Sequence, residues 1–164
     1  MALIVEDGSI VPGANSYVSV VEIRAYCEGR GISLPTEDSE VEVMAVQAFD
    51  YIESFRSRYK GKPTTSNQRT SWPRKCVVVE CYSVPDNEIP WQLKEAQCQA
   101  TGEALDTDLM PNSSAAVKRE KVDVLEVEYQ DSVDSGVPVS FPKIDSKLEI
   151  LMGSSGLRVR VVRG

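Results

Sequence analysis

The sequence contains no histidine. That absence excludes Ser-His-Asp and Cys-His catalysis, His-ligated zinc and histidine-based pH switching together. Aromatic residues are scarce, at 7%, so few rings are on hand to stack on bases. No apolar run approaches the roughly 18 residues that span a bilayer, and Met1 to Gly8 lacks the basic start of a signal peptide. No Gly-rich phosphate loop, nucleotide fingerprint or G-x-S-x-G motif occurs. The cysteines (Cys27, Cys76, Cys81 and Cys98) form no C-x-x-C pair, and Cys76 with Cys81 makes at best half a zinc site. Free thiols in a reducing compartment are expected. The paired acids Glu40/Glu42 and Glu126/Glu128 read as solvated faces, since nothing marks a partner acid or base. These absences predict a protein that is not an enzyme, takes no cofactor or metal and does not enter a membrane.

What is present suits one ordinary domain. The 164 residues are 41% apolar and 26% charged, enough for a packed core. Eighteen basic residues against 25 acidic give a net charge of -7. A free-standing nucleic-acid binder normally carries the opposite balance.

Residues 1–18 read as an N-terminal extended arm. Leu3-Ile4-Val5 is β-prone, and Gly8, Pro12 and Gly13 oppose a helix. Ser19 and Glu22 form a capping box for a helix over 20–28, stopped at Gly29 and Gly31. A second helix is expected from near Glu40, capped at Ser39. Val41, Met44, Ala45, Ala48, Ile52 and Phe55 recur at three and four residues as one apolar stripe. Phe49, Tyr51 and Tyr59 widen it, and Gly61 and Pro63 end it. Val77-Val78-Val79 could form a short strand. A third helix is expected over 90–105, with Pro90 at its first position and Leu93, Ala96, Ala100 and Ala104 inward. Trp72 and Trp91 read as core or interface anchors.

Thus 19–110 reads as a helical core. Over 111–152 a β arm precedes a short fourth helix: Val122 and Val124 alternate on one parity, Leu125, Val127 and Tyr129 on the other, which predicts a bulge. Ile144, Leu148, Ile150, Leu151 and Met152 mark the helix. Residues 153–164 read as a flexible joint hinged at Gly153 and Gly156, then an alternating strand, Leu157-Arg158-Val159-Arg160-Val161-Val162-Arg163. The fold class expected is mainly α, with about four helices and β-strand arms at both ends, including the C-terminal strand or tail.

Charge is segregated along the chain. Residues 31–55 carry acids and no base. Residues 56–75 carry Arg56, Arg58, Lys60, Lys62, Arg69, Arg74 and Lys75 and no acid. Cations near a helix C-terminus are favourable by roughly 0.3–1 kcal/mol each, which accounts for Arg56 to Lys60 but not for the loop arginines. Contact with phosphates or with an acidic protein partner are the two functional readings.

Four stretches in series carry a resemblance: Leu3-Ile4-Val5-Glu6-Asp7-Gly8 with Gly13-Ala14-Asn15-Ser16-Tyr17-Val18-Ser19; Trp72-Pro73-Arg74; Ile89-Pro90 before an Ala-rich helix; and Val117-Lys118-Arg119-Glu120-Lys121-Val122 with Leu125-Glu126-Val127-Glu128-Tyr129. In this order the chain resembles the head–tail connector, or adaptor, proteins of tailed bacteriophages, whose relatives are often labelled DnaT-like single-stranded-DNA-binding proteins. The resemblance implies a small helical bundle with projecting β arms. It further implies a virion protein of the neck, assembled in the host cytoplasm as a homo-oligomeric ring, typically a dodecamer, beneath the portal. Its partners would be the portal protein, tail or neck proteins and packaged double-stranded DNA in weak contact. The portal-docking segment would be Leu157, Arg158, Val159, Arg160, Val161, Val162 and Arg163. The alternative implied by the label is a single-stranded-DNA-binding replication protein, using residues 56–75 with Tyr59 and Trp72 as stacking rings. The net charge and the few aromatics weigh against that alternative.

Overall fold

The computed structural model describes residues 2–111 and 141–153. Four helices are present: α1 (Val20–Glu28), α2 (Asp38–Glu53), α3 (Trp91–Glu103) and α4 (Pro142–Glu149). Between α2 and α3 lie two antiparallel pairs. β1 (Lys62–Pro63) pairs with β2 (Arg74–Lys75), and β3 (Val78–Val79) pairs with β4 (Tyr82–Ser83). Among the described residues, 37% are helical and 10% lie in strands or bridges. The fold is therefore mixed, which corrects the expectation of a mainly α protein. The reason lies in residues 54–90, where prolines and left-handed turns prevent a long helix and leave two-residue strands.

α1 forms where its cap predicts. The Ser19 side chain accepts from the Glu22 backbone N–H, and the Glu22 carboxylate accepts from the Ser19 N–H at 2.7 Å. α2 starts earlier than expected, with Glu37 at the N-cap and Ser39 inside the helix. Arg24 is the cause. Its guanidinium donates to Asp38 at 2.7 Å and to the carbonyls of Pro35 and Thr36, pinning the loop and bringing Asp38 into the first turn. There Asp38 and Glu40 face the positive end of the helix dipole. α2 also stops earlier, because Tyr59 folds back and its hydroxyl donates to the Ile52 carbonyl at 2.9 Å. Pro90 proves to be the N-cap of α3 rather than its first helical residue.

α3 is central and packs against α1, α2 and α4. Ala96 and Ala100 are fully buried on it and let its neighbours approach closely. Leu93, beside them, is also fully buried and contributes about 2 kcal/mol by leaving water. The larger core gathers Tyr17, Trp72, Val77, Leu93, Ile144, Leu148 and Leu151 from distant parts of the chain. A second cluster joins α1 and α2 through Ile23, Cys27, Val41, Met44 and Ala45.

The N-terminal segment does not project. Glu6 is fully buried, and its carboxylate accepts backbone N–H bonds from Gly8, Ile10 and Val11, each at 2.9 Å. Those bonds curl residues 6–11, so the chain returns and Glu6 N–H donates to the Ser16 carbonyl at 2.8 Å. Gly8 permits the turn: its φ is 104°, and a Cβ there would lie 2.0 Å from the Asn87 carbonyl oxygen. The expected β arm at 117–129, with its bulge, lies outside the described residues. The same holds for Gly156 and residues 157–163. Gly153 is described, and its N–H donates to the Arg58 carbonyl at 2.8 Å, so the first proposed hinge residue is tied to the loop after α2.

Candidate nucleic-acid interface

The basic segment is a loop system held from beneath by buried polar groups. Glu53, the last residue of α2, accepts both the Ser71 N–H (2.9 Å) and the Ser71 hydroxyl (2.8 Å). It also accepts the Tyr17 hydroxyl at 2.5 Å, and that hydroxyl in turn accepts the Trp72 N–H at 3.1 Å. Burial, followed by the nearby Glu53 charge, pushes the Tyr17 phenol well above its ordinary value and keeps it a proton donor. Gln97 of α3 anchors the other side of Tyr17. It accepts the Tyr17 backbone N–H at 2.8 Å and donates to Ser16 Oγ and the Ala45 carbonyl. Within the loop, the Gln68 amide accepts from Thr65 N–H and donates to the carbonyls of Thr70 and Pro73. The Trp72–Pro73 peptide is cis. Sequence reasoning missed Glu53 and Gln97, and it read Gln68 as a hydrogen-bonding side chain among the bases where the structure buries it inside the loop; a buried polar side chain leaves no periodic signal.

The seven predicted cations divide by role. Arg74 is only 5% exposed. Its guanidinium donates to the carbonyls of Lys60 (2.7 Å), Gly61 (3.0 Å), Ser71 (3.2 Å) and Tyr59 (3.4 Å). It clamps the loop, so it is not a surface contact as the charge pattern suggested. Burial, with the charge of Arg56 adding to it, draws the Arg74 guanidinium below its ordinary value. Arg56 donates to the carbonyls of Arg69 and Gln68. Lys60 donates to the Ile150 carbonyl at 2.8 Å, tying α4 to the loop. Arg58, Lys62, Arg69 and Lys75 are exposed.

Two features of this surface suit an anion. Lys62 and Lys75 are direct cross-strand partners, and like charges placed opposite each other destabilise a strand pair. Gly61 permits the approach, with a φ of 68° and a position where a Cβ would meet the Lys75 carbonyl oxygen at 2.3 Å. Beside the pair, an open cleft of about 450 Å³ is lined by Ser54, Arg56, Ser57, Pro63 and Arg74. The Arg56 and Arg74 guanidinium groups are held by loop carbonyls, so they offer a phosphate their charge, beside the Ser57 hydroxyl.

The pairing of charges sets this surface apart. Among the described residues, Arg24 pairs with Asp38, Arg30 and Lys147 with Glu95, Lys94 with Glu22 and Lys143 with Glu103. None of the seven cations between 56 and 75 pairs with a carboxylate in the described residues. The stacking rings expected from sequence are not available. Trp72 is 0% exposed and Tyr59 is 4% exposed, and they pack edge to face in the core. Among the described residues the exposed aromatics are Tyr82 at 79% and Trp91 at 63%. No group of side chains suited to a metal ion occurs among the described residues, and no described helix is long and apolar enough to cross a membrane.

A family model described as "Putative DnaT-like ssDNA binding protein" matches residues 1–164. The chain belongs to that family. No curated protein and no solved structure matches it. Membership overturns the leading functional expectation, the head–tail connector of a phage neck. The family that covers the whole chain is described by single-stranded DNA, not by a portal ring or a virion. The alternative drawn from the same resemblance is the better supported.

Proposed function

We propose that the protein binds single-stranded DNA, holding the phosphate backbone on the surface formed by residues 56–75. The observation that carries this reading is the set of exposed cations, Arg58, Lys62, Arg69 and Lys75, which pair with no carboxylate among the described residues and stand on a loop clamped by Arg74. Opposed lysines on a two-residue strand pair cost the fold stability, and a phosphate held between them offsets that cost. The family's description lends the ligand class. The net charge of -7 limits affinity without forbidding it. Charges more than about 8 Å away are largely screened at physiological salt, so a phosphate on this surface feels the adjacent cations most. Binding is therefore modest and steep in salt.

The test is fluorescence anisotropy of a labelled oligothymidylate titrated with protein at 50 to 200 mM salt. Each phosphate contact contributes about 0.7 to the slope of log affinity against log salt on a single strand. Four exposed cations predict a slope near -3 by that arithmetic, on the order of -0.7 each. Replacing Arg58, Lys62, Arg69 and Lys75 together by Gln abolishes the slope without unfolding the protein, because all four are exposed and the Lys62–Lys75 repulsion is relieved in the same variant. Absence of binding at 50 mM salt sinks the proposal.

A further inference from the structure

The surface above supplies contacts for phosphates, and the hairpin beside it offers one for a base. β3 and β4 are joined by two residues, Glu80 and Cys81, with φ of 49° and 69°. Positive φ at both positions is the type I′ geometry, which favours Asn-Gly or Gly-Gly because a Cβ is strained there. A two-residue hairpin takes this turn because its twist matches that of the strands, so Tyr82 stands directly after a tight turn at the start of β4. The hairpin is fastened to the basic loop. Lys60 Nζ lies 3.4 Å from the Val78 carbonyl, and the Thr64 hydroxyl donates to the Asp86 carbonyl at 2.8 Å. Val79 enters the core, while its cross-strand partner Tyr82 stands in solvent. Among the described residues Tyr82 has no ring partner, cation–π partner or side-chain hydrogen bond. Trp91, the other exposed aromatic among the described residues, opens α3 one turn before Lys94, which pairs with Glu22 of α1. That acid-bearing flank is unsuited to a polyanion.

We infer that Tyr82 is the base-stacking platform of the DNA-binding surface, an inference that rests on the function proposed above. The contacts of Lys60 with Val78 and of Thr64 with Asp86 hold the Tyr82 hairpin against the loop that carries Lys62 and Lys75, so a base on the ring and phosphates on the loop belong to one surface. Every base has a π face, so the contact is indifferent to sequence. A base paired in a duplex has its faces covered by stacked neighbours, so the contact favours single strands.

The experiment compares two oligomers of equal length and charge, an oligothymidylate and its abasic analogue, on the full chain. The unaltered protein binds the oligothymidylate roughly tenfold tighter than the abasic strand. Tyr82→Ala removes that preference and leaves both the abasic affinity and the salt slope unchanged, Tyr82→Phe retains the preference, and Trp91→Ala does not alter it. Circular dichroism confirms that each variant is folded. Equal affinity of the unaltered protein for the two strands, or a preference that survives Tyr82→Ala, overturns the inference while the phosphate reading stands. Failure to bind either strand overturns both.

Discussion

On the helical flank, Arg24, Arg30, Lys94, Lys143 and Lys147 each face a carboxylate, and the pairs tie α1 to α2 and α3, and α3 to α4. On the loop flank, seven cations between 56 and 75 face none among the described residues. The thiols divide along the same line. Cys27 and Cys98 are buried between α1 and α3, and desolvation pushes the Cys98 thiol up to about 12. Cys76 and Cys81 are exposed on the hairpin side. Where charge serves the fold it is matched locally, and where it is left unmatched the fold tolerates a cost. The difference directs attention to the loop flank as the surface kept for a ligand.

Arg74 is the sharpest challenge to that division, because it sits among the unpaired cations yet acts as structure. Arg74→Ala deprives four carbonyls of one charged donor. Hydrogen bonds to a charged group are worth about 1.5–3 kcal/mol, so the loss expected is about 3 kcal/mol, read from the urea midpoint. A loss near zero would place Arg74 with the surface cations and erase the distinction between clamp and contact.

The paired flank makes a smaller, pH-dependent prediction. Lys147 donates to Glu95 at 2.5 Å and lies 5.8 Å from the centre of the Tyr26 ring. Burial alone would lower its value, but the bond to Glu95 and the neighbouring Tyr26 and Glu95 charges carry it above the ordinary 10.5. A lysine raised on folding stabilises below its unfolded value and loses that stabilisation as pH climbs through the folded one. Lys147→Met keeps the aliphatic stem and removes the charge. It costs about 1 kcal/mol at pH 8, the upper end for a partly exposed pair, and the gap to the unaltered protein closes as pH passes 10.5. A gap that does not narrow with pH would assign the loss to packing.

Periodicity revealed the helices, because α1, α2 and α3 bury residues at three- and four-residue spacing and Ser19 with Glu22 is a local signal. The ends of α2 were not legible, since a long-range clamp from Arg24 sets one and the fold-back of Tyr59 sets the other. The N-terminal segment read as an arm because a buried carboxylate that caps its own chain, as Glu6 does, looks in sequence like any surface acid. The basic segment was visible as charge. Its division into clamp and contact was not, because Arg74 differs from Arg69 only in the carbonyls that surround it. Trp72, read as a core or interface anchor, and Tyr59, read as part of the apolar stripe, do lie in the core; only their role as stacking rings in the single-stranded-DNA alternative fails, and Tyr82, which stands exposed after a turn that local propensity disfavours, carried no sequence signal.

The smallest effect tests the division most directly, because it asks one residue to change sides. Lys75→Glu turns the Lys62–Lys75 opposition into a cross-strand ion pair without touching the core. Opposite charges across a strand pair are worth about 0.2–1 kcal/mol relative to Ala pairs, and the repulsion removed is of similar size. Stability should therefore rise by about 0.5 kcal/mol, less in high salt, because both side chains are exposed. DNA affinity should fall in the same variant, since one phosphate contact becomes a repulsion. Both changes should shrink together as salt is raised, as expected if a single electrostatic feature underlies them. A variant that gained stability and kept its DNA affinity would show that the opposed lysines are not held apart for phosphate. The surface would then have to be sought around Arg58 and Arg69 instead.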